Sequence, residues 1–209
     1  MLALTEAAHT DPAAYQDLLR GTGGHLQGQV RRKEAGAQLI RSFTDAWVPG
    51  LLQTAEYARQ LIPQVDPTGK IDHAAAVAAR IRRQEILYED GRRFEFLLAE
   101  HVLHWSPGPG VMPAQLDRLR SVATLSGVRI GILPTRRVGA PAWHSFNYRE
   151  PADGSPPHVD VEIMHGETQT DDPERVRPYI ELWERLWSAA ATGPEAIELI
   201  DLAARAPER

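Results

Sequence analysis

The chain contains no cysteine among its 209 residues. This absence excludes a disulfide framework, a thiolate metal site and a cysteine nucleophile. Basic residues are also fewer than acidic ones. The chain has 23 lysines and arginines and 28 aspartates and glutamates, which gives a formal net charge of -5. A nucleic-acid-binding domain usually carries a basic face, so we do not expect this chain to bind DNA directly.

Long apolar runs are absent as well. No stretch approaches the roughly 20 consecutive apolar residues that a membrane-spanning helix needs. The first residues lack the basic region and apolar core of a signal peptide. We therefore expect a cytoplasmic protein with no membrane partner. Its hydrophobic content of 43% and charged content of 24% are those of an ordinary globular domain.

The chain also lacks the common catalytic and cofactor-binding motifs. It has no Walker loop, no G-x-G-x-x-G segment and no G-x-S-x-G elbow. Its eight histidines follow no zinc-binding pattern. Ser145 and Phe146 could line a pocket, but Ser145 has no partnered base that would make it a nucleophile. We therefore predict no catalytic residue, no metal site and no cofactor.

Apolar residues at helical spacing predict that the first part of the chain is helical. Thr54 and Asp72 are suitable N-cap residues for two of these helices, because their side-chain oxygens can accept from free backbone N–H groups. The predicted helices span about 11–19, 26–43, 54–62 and 72–88.

The pattern then changes to strands. Short apolar runs predict strands over 94–99 and 128–133, with a helix from Pro113 between them. A strand, a helix and a strand at this spacing form a right-handed βαβ unit with parallel strands. The predicted fold is α+β, with a helical N-terminal third, a mixed β-sheet that contains this unit, and C-terminal helices. The remaining predicted elements are strands over 144–149 and 158–164 and helices over 174–190 and 195–204.

The segment 48–59 is more elaborate than a plain helix requires. A Pro-Gly pair ends one element, and a new helix begins almost at once with Thr54 as its N-cap. Tyr57 and Arg59 follow in this helix, and a helix that served only to pack against the core would not need their polar end groups. Two interpretations are open: a capped helical corner, or a corner that also forms one wall of a binding site.

Gln84 interrupts the apolar stripe of the predicted helix over 72–88, and Arg80 lies one turn before it. A fork-shaped guanidinium beside a glutamine suits a carboxylate, a phosphate or the backbone of a partner. The alternative is that Gln84 is half-exposed and Arg80 is simply solvated.

Two glutamates are further candidates. Glu100 closes the strand 94–99, and ligands of parallel sheets gather at the carboxyl ends of strands. The alternative for Glu100 is a turn or capping role. Glu162 lies in the last predicted strand, on the polar face. If helices cover that face, Glu162 needs a cationic partner such as Arg80 or Arg59; if water covers it, Glu162 has no special role.

Together these motifs resemble the sensor-like domain of unknown function that follows an xre-type helix-turn-helix domain in many actinobacterial regulators. The resemblance covers roughly residues 26–190, and its most specific segment is Pro-Gly-Leu-Leu-Gln-Thr with Tyr-Ala-Arg over 49–59. The chain departs from the family at Asp160, where an aromatic residue is usual. Other positions that carry the resemblance are Glu34, Arg80, Arg83, Gln84, Glu100, Gln115, Leu116, Phe146 and Glu162.

The resemblance implies a regulatory role rather than a demonstrated reaction. We expect residues 26–209 to form one α+β domain that binds an effector or partner, with 1–25 as an N-terminal helical segment or linker remnant. The partner would be an unknown small molecule or a small acidic protein, and a homodimer is possible. DNA would be contacted only through a helix-turn-helix domain that these first residues are too few to supply.

Two functions follow from these patterns. The first is a ligand- or partner-sensing module of a transcriptional regulator. The alternative is an enzyme, a transferase or hydrolase, that acts on a nucleotide-like substrate through a cleft of arginine and glutamate. The residues predicted to bind the ligand or partner are Gln53, Tyr57, Arg59, Arg80, Gln84, Glu100, Phe146 and Glu162.

Overall fold

The computed structural model describes residues 34, 36–66, 69, 71–136, 142–163 and 166–206. The predicted segment 1–25, with its helix over 11–19, lies outside these residues. The strands of the described part are β1 (Ala37–Thr44), β2 (Arg93–Ala99), β3 (Val128–Leu133), β4 (Phe146–Pro151), β5 (His158–Ile163), β6 (Gly166–Thr170) and β7 (Ala191–Thr192). Its α-helices are α1 (Ala55–Leu61), α2 (His73–Arg83), α3 (Met112–Val122), α4 (Pro173–Ala189) and α5 (Pro194–Arg205).

The seven strands form one mixed sheet in the order β6-β5-β4-β1-β2-β3-β7. Strands β1, β2 and β3 run parallel to one another, and β4 joins β1 in antiparallel orientation. The predicted βαβ unit is confirmed as β2, α3 and β3, since a helix is needed to return the chain to the start of a parallel neighbour. The predicted α+β fold is therefore confirmed.

The predicted helix over 26–43 is wrong in its last part, because residues Ala37–Thr44 form the central strand β1. Leu39 and Phe43 pack on one face of the sheet and Ile40 on the other. A strand buried on both faces loses the alternation of apolar and polar residues. Its remaining apolar positions coincide with helical spacing, which explains the error.

Strands β6 and β7 are not predicted from the sequence. The segment Gly166–Thr170 contains only glycine and polar residues, and β7 is two residues long. Neither has the apolar alternation that marks a strand, so both depend on pairing with neighbours that are already in place.

Helix α4 covers one face of the sheet. Trp183 is buried there with Phe43, Phe146 and other apolar strand residues. Trp187 is partly buried and stacks on Trp183 at 5.2 Å between ring centroids. These positions agree with the helical spacing of the two tryptophans.

The opposite face of the sheet is divided into two halves. Helices α1, α3 and α5 and the turns beside them cover its apolar half on β1, β2 and β3. On β4 and β5 the same face carries polar side chains, because the residues between the core positions there are polar. These polar side chains are Asn147, Arg149, His158, Asp160 and Glu162.

Candidate functional site

The segment 48–59 forms the predicted capped corner. A single 3-10 turn spans Gly50–Leu52, and Thr54 follows as the N-cap of α1. The Tyr57 N–H donates to the Thr54 hydroxyl at 3.1 Å, which satisfies one of the free N–H groups at the start of the helix.

Two buried glutamines hold this corner from inside the protein. The side-chain amide of Gln53 donates to the Val48 carbonyl at 2.6 Å. The amide of Gln84 donates to the Gly50 carbonyl at 2.9 Å and to the Gln53 carbonyl at 2.7 Å. Buried carbonyl groups outside regular structure need such partners. Gln84 is therefore buried rather than half-exposed, and the hydrogen bonds of its amide group brace the corner.

A third glutamine, Gln115 on α3, does the same from the other side. Its amide donates to the Leu52 carbonyl at 2.8 Å, and its oxygen accepts from the Thr54 N–H at 2.8 Å. Gln115 is completely buried. It is absent from the predicted site, although a glutamine within the apolar stripe of α3 was a usable signal.

Arg80 on α2 reaches the corner through Gln53. Its Nη1 donates to the Gln53 side-chain oxygen at 2.8 Å. Gly50 leaves space for Arg83 beside this contact, since a Cβ at position 50 would lie only 2.6 Å from Nη2 of Arg83. The same Cβ would make an ordinary contact of 3.6 Å with Nε of Arg80, so the glycine of the motif is required by Arg83 and not by Arg80.

The charges of Arg80 and Glu162 act on one another. Glu162 raises the pKa of Arg80, and Arg80 lowers that of Glu162, so the two charges attract one another. Within the described residues, however, no ion pair within 4.0 Å connects them, and the buried Nε of Arg80 has no hydrogen-bond partner. The Nε donor of Arg80 thus has no acceptor among the described residues.

Burial disfavours the charged forms of both groups. Burial, followed by the charge of Arg83, lowers the pKa of Arg80 to about 10. Burial also raises the pKa of Glu162, although its side chain remains exposed to solvent. Glu162 thus combines an exposed side chain with surroundings that disfavour its negative charge. We call this region the Arg80–Glu162 recess.

Two buried ion pairs lie beside the recess. Glu34 contacts Arg83, with 3.1 Å between a carboxylate oxygen and Nε. Arg149 contacts Asp160, which also accepts from the Asn147 amide at 2.9 Å. Burial raises the pKa of Glu34 and lowers that of Arg149, and each group opposes the shift of the other. The charge of Glu34, the partner of Arg83 on α2, thus acts on Arg149 in the polar half of the sheet.

Sequence reasoning did not select either ion pair for the site. Arg149 and Asp160 are both only about 5% exposed, and each lies on its strand at positions that alternate with core residues. Polar residues at alternate positions of adjacent strands were the available signal. Only the order of the strands in the sheet shows that they meet.

Tyr57 and Arg59 lie apart from the recess. Tyr57 is fully buried, its oxygen accepts from the Val48 N–H at 3.3 Å, and burial raises its pKa to about 12. Arg59 is exposed and pairs with Glu56 on the same helix. The structure therefore brings Gln53, with Gln84 behind it, to Arg80, but places neither Tyr57 nor Arg59 opposite Glu162.

Glu100 and Phe146 also occupy other places. The Glu100 carboxylate accepts from the Thr135 N–H at 2.7 Å and so links the segments that follow β2 and β3. This contact matches the turn role considered for Glu100. Phe146 is buried on the α4 face of the sheet, where its ring lies 5.1 Å from that of Tyr179. That face is opposite to the recess.

The described residues contain no group of three or more histidine, aspartate or glutamate side chains that could hold a metal ion. In the same part of the chain, every helix is too short or too polar to cross a membrane.

Comparison with known proteins assigns the chain to a family. Residues 27–201 match the family model described as Domain of unknown function (DUF5753). No match was found among curated proteins. The matched region contains the corner, both ion pairs and the recess, and it covers most of the chain. The chain therefore belongs to the DUF5753 family, a domain of unknown function.

Proposed function

We propose that this domain is the sensing part of an xre-type transcriptional regulator and that the Arg80–Glu162 recess receives its effector. The observation that carries the proposal is the buried Nε of Arg80, which has no hydrogen-bond partner among the described residues although Nη1 is held by Gln53. The charges of Arg80 and Glu162 also attract each other, and no ion pair within 4.0 Å joins these two described residues. The resemblance of segment 49–59 to regulators with a preceding helix-turn-helix domain supplies the regulatory context.

A ligand would gain free energy by completing these interactions. A charged group that is partly desolvated and lacks a partner is costly, and hydrogen bonds to charged groups contribute more than neutral ones. A molecule that accepts a hydrogen bond from Arg80 and donates one to Glu162 would compensate the desolvation of both charged groups. This gain in free energy favours the ligand-bound state.

The charge of the recess favours a small molecule over a small acidic protein at this position. Glu162 and Glu167 pair directly across β5 and β6, so both carboxylates leave the sheet on one face. An acidic protein surface would meet like charges there, and such contacts reduce association.

The recess also has a route to the N-terminal side of the domain. Arg80 lies next to Arg83, which holds Glu34 in a buried ion pair. In regulators of this type the DNA-binding domain precedes the sensing domain. A ligand that draws Arg80 toward itself would change the electrostatic potential at the Arg83–Glu34 ion pair. Ligand binding would in this way be coupled to the N-terminal side of the domain.

Chromosomal variants test the regulatory role without knowledge of the ligand. We expect Arg80→Gln and Glu162→Gln to change a common set of transcripts, because both remove a charge that the effector contacts. Arg82→Gln is the matched control, since Arg82 lies on the same helix but is exposed to solvent. Transcript profiles of the two recess variants that equal those of wild type and Arg82→Gln would refute the proposal.

A further inference from the structure

A cavity of about 290 Å³ lies at the end of the sheet where β1 and β5 begin and β4 ends. Small-molecule sites usually have volumes of about 300–1,000 Å³, so this cavity suits a small ligand. Neither Arg80 nor Glu162 is among its described lining residues, and the cavity is therefore a separate place on the molecule. Its lining includes Pro151, Asp153, Ser155, Pro156, Gln169 and Asp171.

Gln169 brings an unused acceptor to this cavity. Its side-chain oxygen is buried and has no hydrogen-bond partner among the described residues. Its cross-strand neighbour is Asp160, whose carboxylate already accepts from Asn147 and pairs with Arg149. A buried oxygen without a donor is unfavourable, so a ligand N–H that reaches the Gln169 oxygen gains free energy.

Two aspartates give the cavity a negative charge. Asp153 accepts from the Ser155 N–H at 2.9 Å, and hydrogen bonds from Ser155 lower the pKa of Asp153, so this carboxylate is ionised at neutral pH. Asp171 follows β6 and is exposed to solvent, as Asp153 is. Among the described residues that line the cavity there is no lysine or arginine, and the other titratable side chain is that of His158. The lining therefore favours a cation.

The arginines near the cavity have acidic partners of their own. Arg92 donates to a carbonyl at the start of β1 and pairs with Glu89 at 2.7 Å. Arg149 is the cross-strand neighbour of a lining residue on β5, and it pairs with Asp160. Each of these pairs is neutral as a whole, so the two aspartates of the lining set the charge of the cavity.

The arrangement of the acceptors suits an organic cation better than a metal ion. Within the described part of the chain, no three histidine, aspartate or glutamate side chains lie close enough together to hold a metal. An organic cation carries several N–H donors, which can reach acceptors that lie apart from one another. Pro151 and Pro156 add apolar surface to the lining, and the methylene groups of an aliphatic chain can pack on such surface.

We infer that this cavity binds a small aliphatic amine or guanidine. Its charged N–H groups donate to Asp153 and Asp171, and a further N–H donates to the buried oxygen of Gln169. Its methylene chain packs on the two prolines. This site is additional to the proposed effector site and does not depend on it.

Isothermal titration calorimetry with defined probes tests the inference. The probes are putrescine and agmatine. Butanediol replaces the ammonium groups of putrescine by hydroxyls, and guanidinobutyrate replaces the ammonium of agmatine by a carboxylate. Magnesium chloride forms a separate arm for an inorganic cation. We expect putrescine or agmatine to bind wild type, with affinity reduced roughly tenfold or more for its matched analogue.

The protein variants make the test specific to the cavity. Asp153→Asn combined with Asp171→Asn should reduce the affinity roughly tenfold or more, and Gln169→Met roughly fivefold. Asp117→Asn is the matched control, because Asp117 is an exposed aspartate on α3 that does not line the cavity. Both cavity aspartates are exposed, so the double variant is expected to fold, and circular dichroism with a thermal melt checks this. In a nitrogen-15 NMR titration of wild type, the side-chain amide signal of Gln169 should shift.

Several results would overturn the inference. They are the absence of binding by both amines at millimolar concentration, equal binding of putrescine and butanediol, and equal binding of the amine by wild type and the double aspartate variant. Binding of magnesium in place of the amines would also reject it. These experiments do not involve Arg80 or Glu162, whereas the chromosomal variants of the proposed function alter only those two residues and their control. The two proposals can therefore fail separately.

Discussion

Replacing Gln115 by methionine is expected to destabilise the domain strongly, although methionine has nearly the same size and shape. The substitution removes two hydrogen bonds, one to the Leu52 carbonyl and one from the Thr54 N–H. Leu52 is fully buried, so its carbonyl has no access to replacement water. Thr54 is half-buried, and its N–H loses its partner at the start of α1.

The size of the effect follows from these two groups. A buried polar group left without a partner costs about 1–3 kcal/mol, and the half-buried N–H contributes less than the carbonyl. We therefore expect the free energy of unfolding to fall by about 2–4 kcal/mol. For a domain of this size the melting temperature should fall by roughly 5–15 °C.

Urea denaturation followed by circular dichroism measures the change, with an unchanged slope showing that only stability has altered. Gln60→Met is the matched control, because the Gln60 amide bonds to Glu56 on the exposed surface of α1. The control should change stability by no more than about 0.5 kcal/mol. If Gln115→Met loses no more stability than Gln60→Met, the bracing role of Gln115 is refuted.

Three further predictions concern the corner, the recess and its ion pairs. Gly50→Ala should lower the free energy of unfolding by about 1–3 kcal/mol, since the new methyl group collides with the buried guanidinium of Arg83. An unchanged midpoint of unfolding would show that this guanidinium moves aside freely. Arg80→Gln should raise the pKa of Glu162 further above its ordinary value, because the loss of a nearby positive charge disfavours the carboxylate. Carbon-13 NMR titration measures this shift, and an unaltered pKa would contradict their mutual attraction. Arg149→Met should lower the free energy of unfolding, measured by chemical denaturation, by about 3–5 kcal/mol, because it leaves the buried Asp160 carboxylate without its cationic partner. The double variant with Asp160→Leu should recover much of this loss, and no recovery would argue against the ion pair.

The elements that were predicted correctly depend on short-range rules. The N-caps at Thr54 and Asp72 require only a side-chain oxygen and a backbone N–H a few residues away. The βαβ unit likewise follows from the order and length of three neighbouring elements. The candidate site could be anticipated in part, since Arg80 was selected as an arginine one turn before Gln84 and was named as a possible cationic partner of Glu162.

The elements that were missed depend on neighbours distant in the chain. The strand β1 resembles a helix in its sequence because both of its faces are buried. Phe146 looked like a pocket residue beside Ser145, but the pairing of β4 with β1 turns it to the α4 face. A shift of register by one residue would have placed it on the recess side.

The sequence by itself determined the capped corner, the parallel βαβ unit and the absence of thiol chemistry, because each follows from residue type or local spacing. Only the tertiary structure decided that Gln53 and Gln84 brace the backbone while the charge of Arg80 acts on that of Glu162. The reason is that the role of a buried polar side chain depends on the polar and charged groups that lie next to it. Those groups come from α2 and β5, about eighty residues apart in the chain and adjacent only after the sheet has formed.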